Sequence, residues 1–219
     1  MVRDGFFYAL GLGAVAAALL YMSMPAWLVA LPIVLAAFFL WFFRDPNRKI
    51  PQGAGQIVSP GDGLVTDAEW IETISGSRLR LSIFLNVFDV HVNRAPVGGV
   101  VKVCEFRKGE FMNAMKPESV LNNEQTLITI DAGGYDVSFK QIAGLLARRI
   151  VCNLKVGDRV ERGQRIGLIK FGSRVDVLIP AEANLKVKTG SRVKGGSTVL
   201  AVLPQLPEQA KSAAAVMVA

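Results

Sequence analysis

Two features of this chain are equipped for chemistry. One is the Gly172-Ser173 bond, set in Phe171-Gly172-Ser173-Arg174. A serine hydroxyl can attack the carbonyl of the residue before it, so this is a bond a chain can break in itself. The other is His91, the single histidine in 219 residues. It follows Asp89 and precedes Val92-Asn93-Arg94-Ala95-Pro96, a polar cluster that emerges from an apolar run. Imidazole titrates near neutrality, so any histidine acid–base work here falls to His91. Neither feature is specific alone: Gly-Ser dipeptides are common, and a lone histidine is more often structural. Their meaning depends on the elements that must bring them together.

The N-terminal element is apolar. Residues Gly5 to Phe43 carry no charged side chain. A single span needs about 20 apolar residues, so the run is long for one helix and short for two. Met22-Ser23-Met24-Pro25 breaks it near the middle. The reading is two helices, Phe6–Tyr21 and Trp27–Phe43, forming a hairpin that spans or dips into a bilayer, within a membrane-associated segment of residues 1–45. Trp27, Trp41, Phe42 and Phe43 suit the interface. Arg3 at one end and Arg44, Arg48 and Lys49 at the other place both ends on the cytoplasmic side of the cell membrane. The alternatives are a cleaved signal peptide, for which the run is too long and lacks a clean cleavage site, and a buried soluble hairpin. A net charge of +7 holds such a protein against an anionic leaflet. With no zinc-finger spacing and no Lys/Arg block interleaved with aromatics, nucleic acid is not expected as a partner. Cys104 and Cys152 lie far apart in apolar stretches. They read as reduced and buried, with no metal site.

Beyond Pro46 the pattern becomes short β-like runs broken by Gly, Asn and Pro. Leu79–Leu85, Val100–Phe106, Thr126–Ile130 and Tyr135–Phe139 are the clearest; Arg148-Arg149 interrupts the apolar pattern and Ile150–Leu154 resumes it, and no long amphipathic helix stands out. Residues 46–204 suffice for one well-cored domain, mostly β, followed by a tail of residues 205–219. Within it Gly157-x-x-Val160-x-x-Gly163-x-x-Ile166 recurs 33 residues later as Gly190-x-x-Val193-x-x-Gly196-x-x-Val199. Glycines at fixed offsets mark tight turns between short strands, so the echo predicts a compact β-sandwich with an internal pseudo-two-fold repeat. Its cadence, Lys155-Val156-Gly157-Asp158-Arg159-Val160-Glu161-Arg162-Gly163-Gln164, resembles the biotinyl/lipoyl carrier domain. Such a carrier presents a modified lysine in the hairpin between its halves. This chain has Phe171-Gly172-Ser173-Arg174-Val175-Asp176 there instead of Met-Lys-Met.

Further stretches join these: Val58-Ser59-Pro60-Gly61-Asp62-Gly63, Phe84-Leu85-Asn86-Val87-Phe88-Asp89-Val90-His91 running on to Pro96, Asn122-Asn123-Glu124, and Gly144-Leu145-Leu146-Ala147-Arg148-Arg149-Ile150. In this order, with Gly172-Ser173 inside a carrier-like repeat, they resemble the phosphatidylserine decarboxylase family in its short proenzyme class. The resemblance runs from the apolar N-terminus to about Leu203.

The resemblance implies a proenzyme that cleaves itself between Gly172 and Ser173. The pieces, a β subunit of 1–172 and an α subunit of 173–219, stay together as a heterodimer. A higher homo-oligomer is left open. Ser173 becomes an N-terminal pyruvoyl group, the one cofactor. An Asp–His–Ser triad matches Asp62, His91 and Ser173, with His91 as base and Asp62 holding its tautomer. Longer members carry a second histidine where this chain has Arg94, so that role does not transfer. The substrate implied is phosphatidylserine, whose headgroup amine condenses with the ketone before carbon dioxide is lost to leave phosphatidylethanolamine. A diacyl lipid stays in the bilayer, since each exposed CH₂ costs about 0.8 kcal/mol, so the site should take only the headgroup. Arg94, Arg148 and Arg149 are candidates for its phosphate. Asp89 is expected to brace the His91 loop and Asn93 to orient it. Two other readings stay open: a membrane-anchored carrier-like module without chemistry, and a pyruvoyl decarboxylase of a soluble amino acid.

Overall fold

A computed structural model describes residues 3–73, 76–145, 149–170 and 172–204. The chain separates into two compact units, Met1–Asn47 and Arg48–Ala219. The expected C-terminal tail, 205–219, lies outside the described residues.

In the first unit, α1 (Arg3–Tyr21) and α2 (Ala26–Phe42) form the expected hairpin. Ser23 turns the chain with a φ of 54°, and Pro25 precedes the first turn of α2. The helices run antiparallel, because Tyr8 near the start of α1 stacks on Phe39 near the end of α2, ring centroids 5.0 Å apart. Gly5 makes this closeness possible: a Cβ there would lie 2.8 Å from Phe43 Cβ. At 1.5 Å per residue, the 19 residues of α1 reach about 28 Å, close to a bilayer's hydrocarbon thickness. By length and composition α1 can cross a membrane, while α2, at 17 residues, is slightly short of that. Leu10, Leu20, Trp27 and Val34 are all exposed. Large apolar groups left outward on a hairpin suit lipid as solvent.

The second unit is β-rich. Its strands are β1 (Gln56–Val58), β2 (Gly63–Thr73), β3 (Gly76–Leu85), β4 (Val92–Arg94), β5 (Gly99–Arg107), β6 (Gln125–Asp131), β7 (Asp136–Ile142), β8 (Ile150–Cys152), β9 (Arg159–Val160), β10 (Arg165–Ile169), β11 (Ser173–Pro180), β12 (Asn184–Leu185), β13 (Arg192–Val193) and β14 (Val199–Val202). One short helix, α3 (Ser119–Asn122), interrupts them. An eight-stranded sheet has the order β13-β2-β3-β11-β7-β6-β5-β9, and two three-stranded sheets have the orders β1-β14-β12 and β4-β10-β8. The strand pairings between these elements are antiparallel. The domain is therefore one large sheet with two small ones, not a sandwich of two equal layers. Alternate residues of the large sheet, among them Leu81, Ile83, Val175, Val177, Phe139 and Ile130, form the buried core with Ile57, Ile166 and Leu200 of the small sheets.

The glycine echo builds matching edges. Its copies, β9 and β13, close opposite ends of the large sheet. Gly157 N–H bonds Val101 O and Gly190 N–H bonds Val65 O, both at 2.8 Å. Gly163 N–H bonds Ala95 O and Gly196 N–H bonds Ser59 O, also at 2.8 Å. Gly163 and Gly196 have φ of +79° and +76°, where a side chain is strained. Both also face Ile50, whose Cδ1 would lie 2.4 and 3.1 Å from an added Cβ. The matching partners reveal a second pair of related segments, Ser59-Pro60-Gly61-Asp62-Gly63 and Ala95-Pro96-Val97-Gly98-Gly99. In this pairing Asp62 stands where the other half has Gly98.

Cys104 and Cys152 are far apart in sequence, yet their sulfurs lie 3.8 Å apart between β5 and β8. Both are free thiols and only half-buried. Burial and the neighbouring sulfur push the Cys104 thiol up to about 11, so it stays protonated at neutral pH.

Candidate active site

His91 lies where β3 leaves the large sheet and β4 begins. Asp89 builds the turn between them. Its Oδ2 accepts the Asn86 N–H at 2.9 Å and its Oδ1 accepts from Arg192 at 2.8 Å, which is the bracing expected of it. The Asp89 carbonyl, 3.0 Å from His91 Nδ1, fixes the imidazole. Nε2 faces the Gly172 N–H at 3.2 Å. A main-chain N–H can only donate, so Nε2 is the acceptor and the proton sits on Nδ1. The ring is thus neutral, 2% exposed, with its Nε2 lone pair turned to the Gly172 N–H. The backbone closes the same contact, with Ile169 N–H on His91 O at 3.3 Å.

Gly172-Ser173 is not at a hairpin tip. Ser173 is the first residue of β11, which β3 and β7 flank on either side, and it pairs with Leu85. It is fully buried, and its Oγ has no hydrogen-bond partner. Buried hydroxyls are nearly always bonded, so an orphan one calls for a reason beyond packing. Gly172 has a φ of +65°, the left-handed region that favours glycine. Its carbonyl oxygen packs onto Gly144, where a Cβ would lie only 2.2 Å away. Gly144 thus seats the carbonyl that Ser173 would attack.

Asp62 is placed differently from expectation. Its carboxylate accepts from Arg48 Nη2 at 2.7 and 2.9 Å and from Gly195 N–H at 2.8 Å. The Asp89 carbonyl lies against His91 Nδ1. Asp62 ties the segment before β1 to the turn before β14. Asn93 works as foreseen: its Oδ1 accepts from Gln141 Nε2 at 2.8 Å, linking the His91 strand to β7. The three candidate phosphate arginines diverge. Arg94 is 6% exposed, with its guanidinium on the Gly163 carbonyl at 3.1 Å. It is held inside the protein. Arg149 is exposed. Arg148 lies outside the described residues.

A cavity of about 230 Å³ opens beside the bond, lined by Phe84, Asn86, Val87, Asn113, Ala114, Leu145 and Gly172. A larger hollow of about 620 Å³, lined by Glu72, Arg78, Lys102, Asp136 and Lys140 among others, touches none of the candidate residues. Among the described residues no group of three or more His, Cys, Asp or Glu is arranged for a metal ion.

The family model for phosphatidylserine decarboxylase matches residues 35–201. A phosphatidylserine decarboxylase proenzyme of Solibacter usitatus is 48% identical over 202 residues, 92% of this chain and 96% of that one. Proenzymes of the same name are 44% identical in Nitrosomonas europaea, over 86% of this chain and 89% of that one, and 44% in Symbiobacterium thermophilum, over 94% and 96%. The chain belongs to the phosphatidylserine decarboxylase family. Four residues around these groups have no site role that the sequence alone suggests. Arg48 and Gly195, which hold Asp62, are distant from it in the chain. Gln141 has the alternation of an ordinary strand residue. Gly144 sits within a quoted motif, but only the approach of the Gly172 carbonyl gives it a task.

Proposed function

We propose that this chain is a self-processing phosphatidylserine decarboxylase: it cleaves itself between Gly172 and Ser173, turns Ser173 into a pyruvoyl group, and releases carbon dioxide from the serine headgroup. The observation that carries the reading is an orphan buried Ser173 Oγ next in the chain to Gly172, whose N–H bonds the Nε2 of a neutral His91. The processing steps balance. Ser173 Oγ attacks the Gly172 carbonyl carbon, and its proton passes to His91 and then to the departing Ser173 nitrogen, leaving an ester. Loss of the Ser173 α-proton then expels the Gly172 carboxylate. Water hydrolyses the dehydroalanine that remains, releasing ammonia.

The buried serine at the head of β11, beside a cavity on the Gly172 side, fits a pyruvoyl group at that position. When formed, the group supplies an electrophilic ketone and an electron sink for decarboxylation. The chain's own residues do the rest. Phe84, Val87 and Leu145 line the cavity with apolar groups, Asn86 and Asn113 offer it polar ones, and Arg94 and exposed Arg149 are the described candidates for the phosphate. In the proposed assembly α1 and α2 hold the enzyme on the cytoplasmic face, with phosphatidylserine as its membrane partner. The repeated glycine edges support descent from a carrier-type scaffold.

The deciding experiment is intact mass of the purified protein. We expect two pieces, residues 1–172 and 173–219, the second with a ketone-bearing N-terminus. They should co-purify without denaturant, because β11 is bonded to both β3 and β7. A single unmodified chain from active cells sinks the proposal. His91→Ala should slow cleavage by roughly 10² to 10⁴, the usual worth of a positioned base, and normal maturation would remove His91 from that role.

Asp62 and Arg48 should behave as a unit. Asp62→Asn and Arg48→Ala should each slow cleavage by roughly 10- to 100-fold, the scale of one charged hydrogen bond at about 1.5–3 kcal/mol. The double variant should be little worse than either. Multiplying effects, measured as cleavage rates, would show that Asp62 acts independently of Arg48.

A further inference from the structure

We propose that the mouth of the Gly172 cavity is a membrane-docking lip of the catalytic domain, built by Phe88, Met115 and Leu145 and fitted to an anionic bilayer. The inference rests on the lipid-substrate reading above and names how that substrate is reached. Three separate loops contribute. Phe88 belongs to the turn between β3 and β4, Met115 to the segment between β5 and α3, and Leu145 to the connection between β7 and β8. They are 71%, 61% and 59% exposed. Leu145 lines the cavity, and Phe88 and Met115 directly follow the lining residues Val87 and Ala114. Large apolar side chains left exposed on the loops around one cavity mark a surface that is covered in use. A site for a soluble substrate gains nothing from them. A site that draws a headgroup out of a bilayer gains a seal, because the tips enter the interface while the cavity stays level with the headgroups.

The charges beside the tips select the occupant. Lys116 follows Met115, and Arg149 lies four residues beyond Leu145; both are exposed. The acid next to Phe88, Asp89, is paired with Arg192 at 2.8 Å. Glu110 and Glu118 are the exposed acids in the Met115 segment. Apolar tips edged by cations match an anionic leaflet. A second copy seated symmetrically on this patch would set the same cations against each other.

The test uses the full chain reconstituted in vesicles of phosphatidylcholine and phosphatidylserine. Phe88→Trp and Met115→Trp are compared with Phe106→Trp, an equally exposed position on β5 away from the cavity. The native Trp27, Trp41 and Trp70 are a common background. Lipids brominated in the acyl chain should quench about half or more of the fluorescence added at 88 and 115, as expected of side chains at the acyl boundary, and little of that added at 106. Equal quenching at all three positions overturns the lip. In the second arm, Phe88→Asp combined with Met115→Asp should lower kcat/KM on vesicles about tenfold or more through loss of two apolar anchors. Cleavage at Gly172-Ser173 and turnover of a dissolved short-chain phosphatidylserine should be unchanged. Equal loss on both substrates would assign these side chains to headgroup binding and overturn the lip. A fall in the particle mass of the double variant in detergent would make the patch a contact between copies, with the same consequence. A parent protein inactive on both lipids refutes the decarboxylase reading, while the quenching arm still reports on the surface.

Discussion

Ser173→Ala should leave the chain whole, with no trace of the fragments 1–172 and 173–219 by intact mass. In the proposed cleavage the hydroxyl is both the nucleophile and the oxygen that departs with the Gly172 carboxylate, so no other residue can replace it in either step. Stability separates this chemical role from a structural one. Ser173 Oγ is buried without a partner, and an unsatisfied buried hydroxyl costs about 1–3 kcal/mol. Removing it should therefore leave the melting temperature of the uncleaved chain unchanged or raised. A serine retained for packing or bonding would show the opposite. Ser173→Cys should cleave slowly, since a thiol can attack the same carbonyl through a thioester. Cleavage of the alanine variant at the same bond would assign the break to an external protease and end the self-processing account.

The site was legible in sequence to the extent that its residues are chemically unusual. A single histidine and a Gly-Ser bond stand out whatever the fold. The apolar hairpin and the strands declare themselves by composition and spacing, and the glycines of the echo are visible because φ near +80° leaves little choice of residue. The other half of the repeat was hidden. Ser59 to Gly63 and Ala95 to Gly99 share few residues and are matched by the backbone bonds they accept, which any side chain permits. Partner choice was also out of reach. Periodicity places Asp62 in a turn, but nothing local says that Arg48 and Gly195 will meet its carboxylate or that a main-chain carbonyl at Asp89 will hold His91. The burial of Arg94 was hidden for a related reason. An arginine in a polar loop is a surface residue by default, and only the fold sends it inward to the Gly163 carbonyl. Cys104 and Cys152 likewise become neighbours only when β5 and β8 pack.

Two glycines at the Gly172-Ser173 bond allow the steric and conformational parts of its geometry to be separated. An added Cβ on Gly144 would lie 2.2 Å from Gly172 O, 3.2 Å from Gly172 C and 3.4 Å from Ala114 Cβ. Its backbone is in a region open to any residue, so Gly144→Ala is a purely steric probe. Gly172 is the converse: its φ is +65°, and a Cβ would meet nothing within 4 Å. Gly144→Ala must push the carbonyl oxygen away by about an ångström, and misplacement on that scale costs about 10²-fold in rate. The overpacking should also destabilise the chain by about 1–3 kcal/mol. Gly172→Ala should cost about 1–2 kcal/mol for a left-handed alanine but leaves the His91 contact and the carbonyl seat in place, so its cleavage should slow far less. Both are read by following intact mass after synthesis in a cell-free system, with circular dichroism to confirm that each variant folds. Gly144→Ala maturing at the parental rate would show that the carbonyl needs no seat. Equal slowing in the two variants would mean that the left-handed turn, and not the approach to Gly144, sets the geometry of attack.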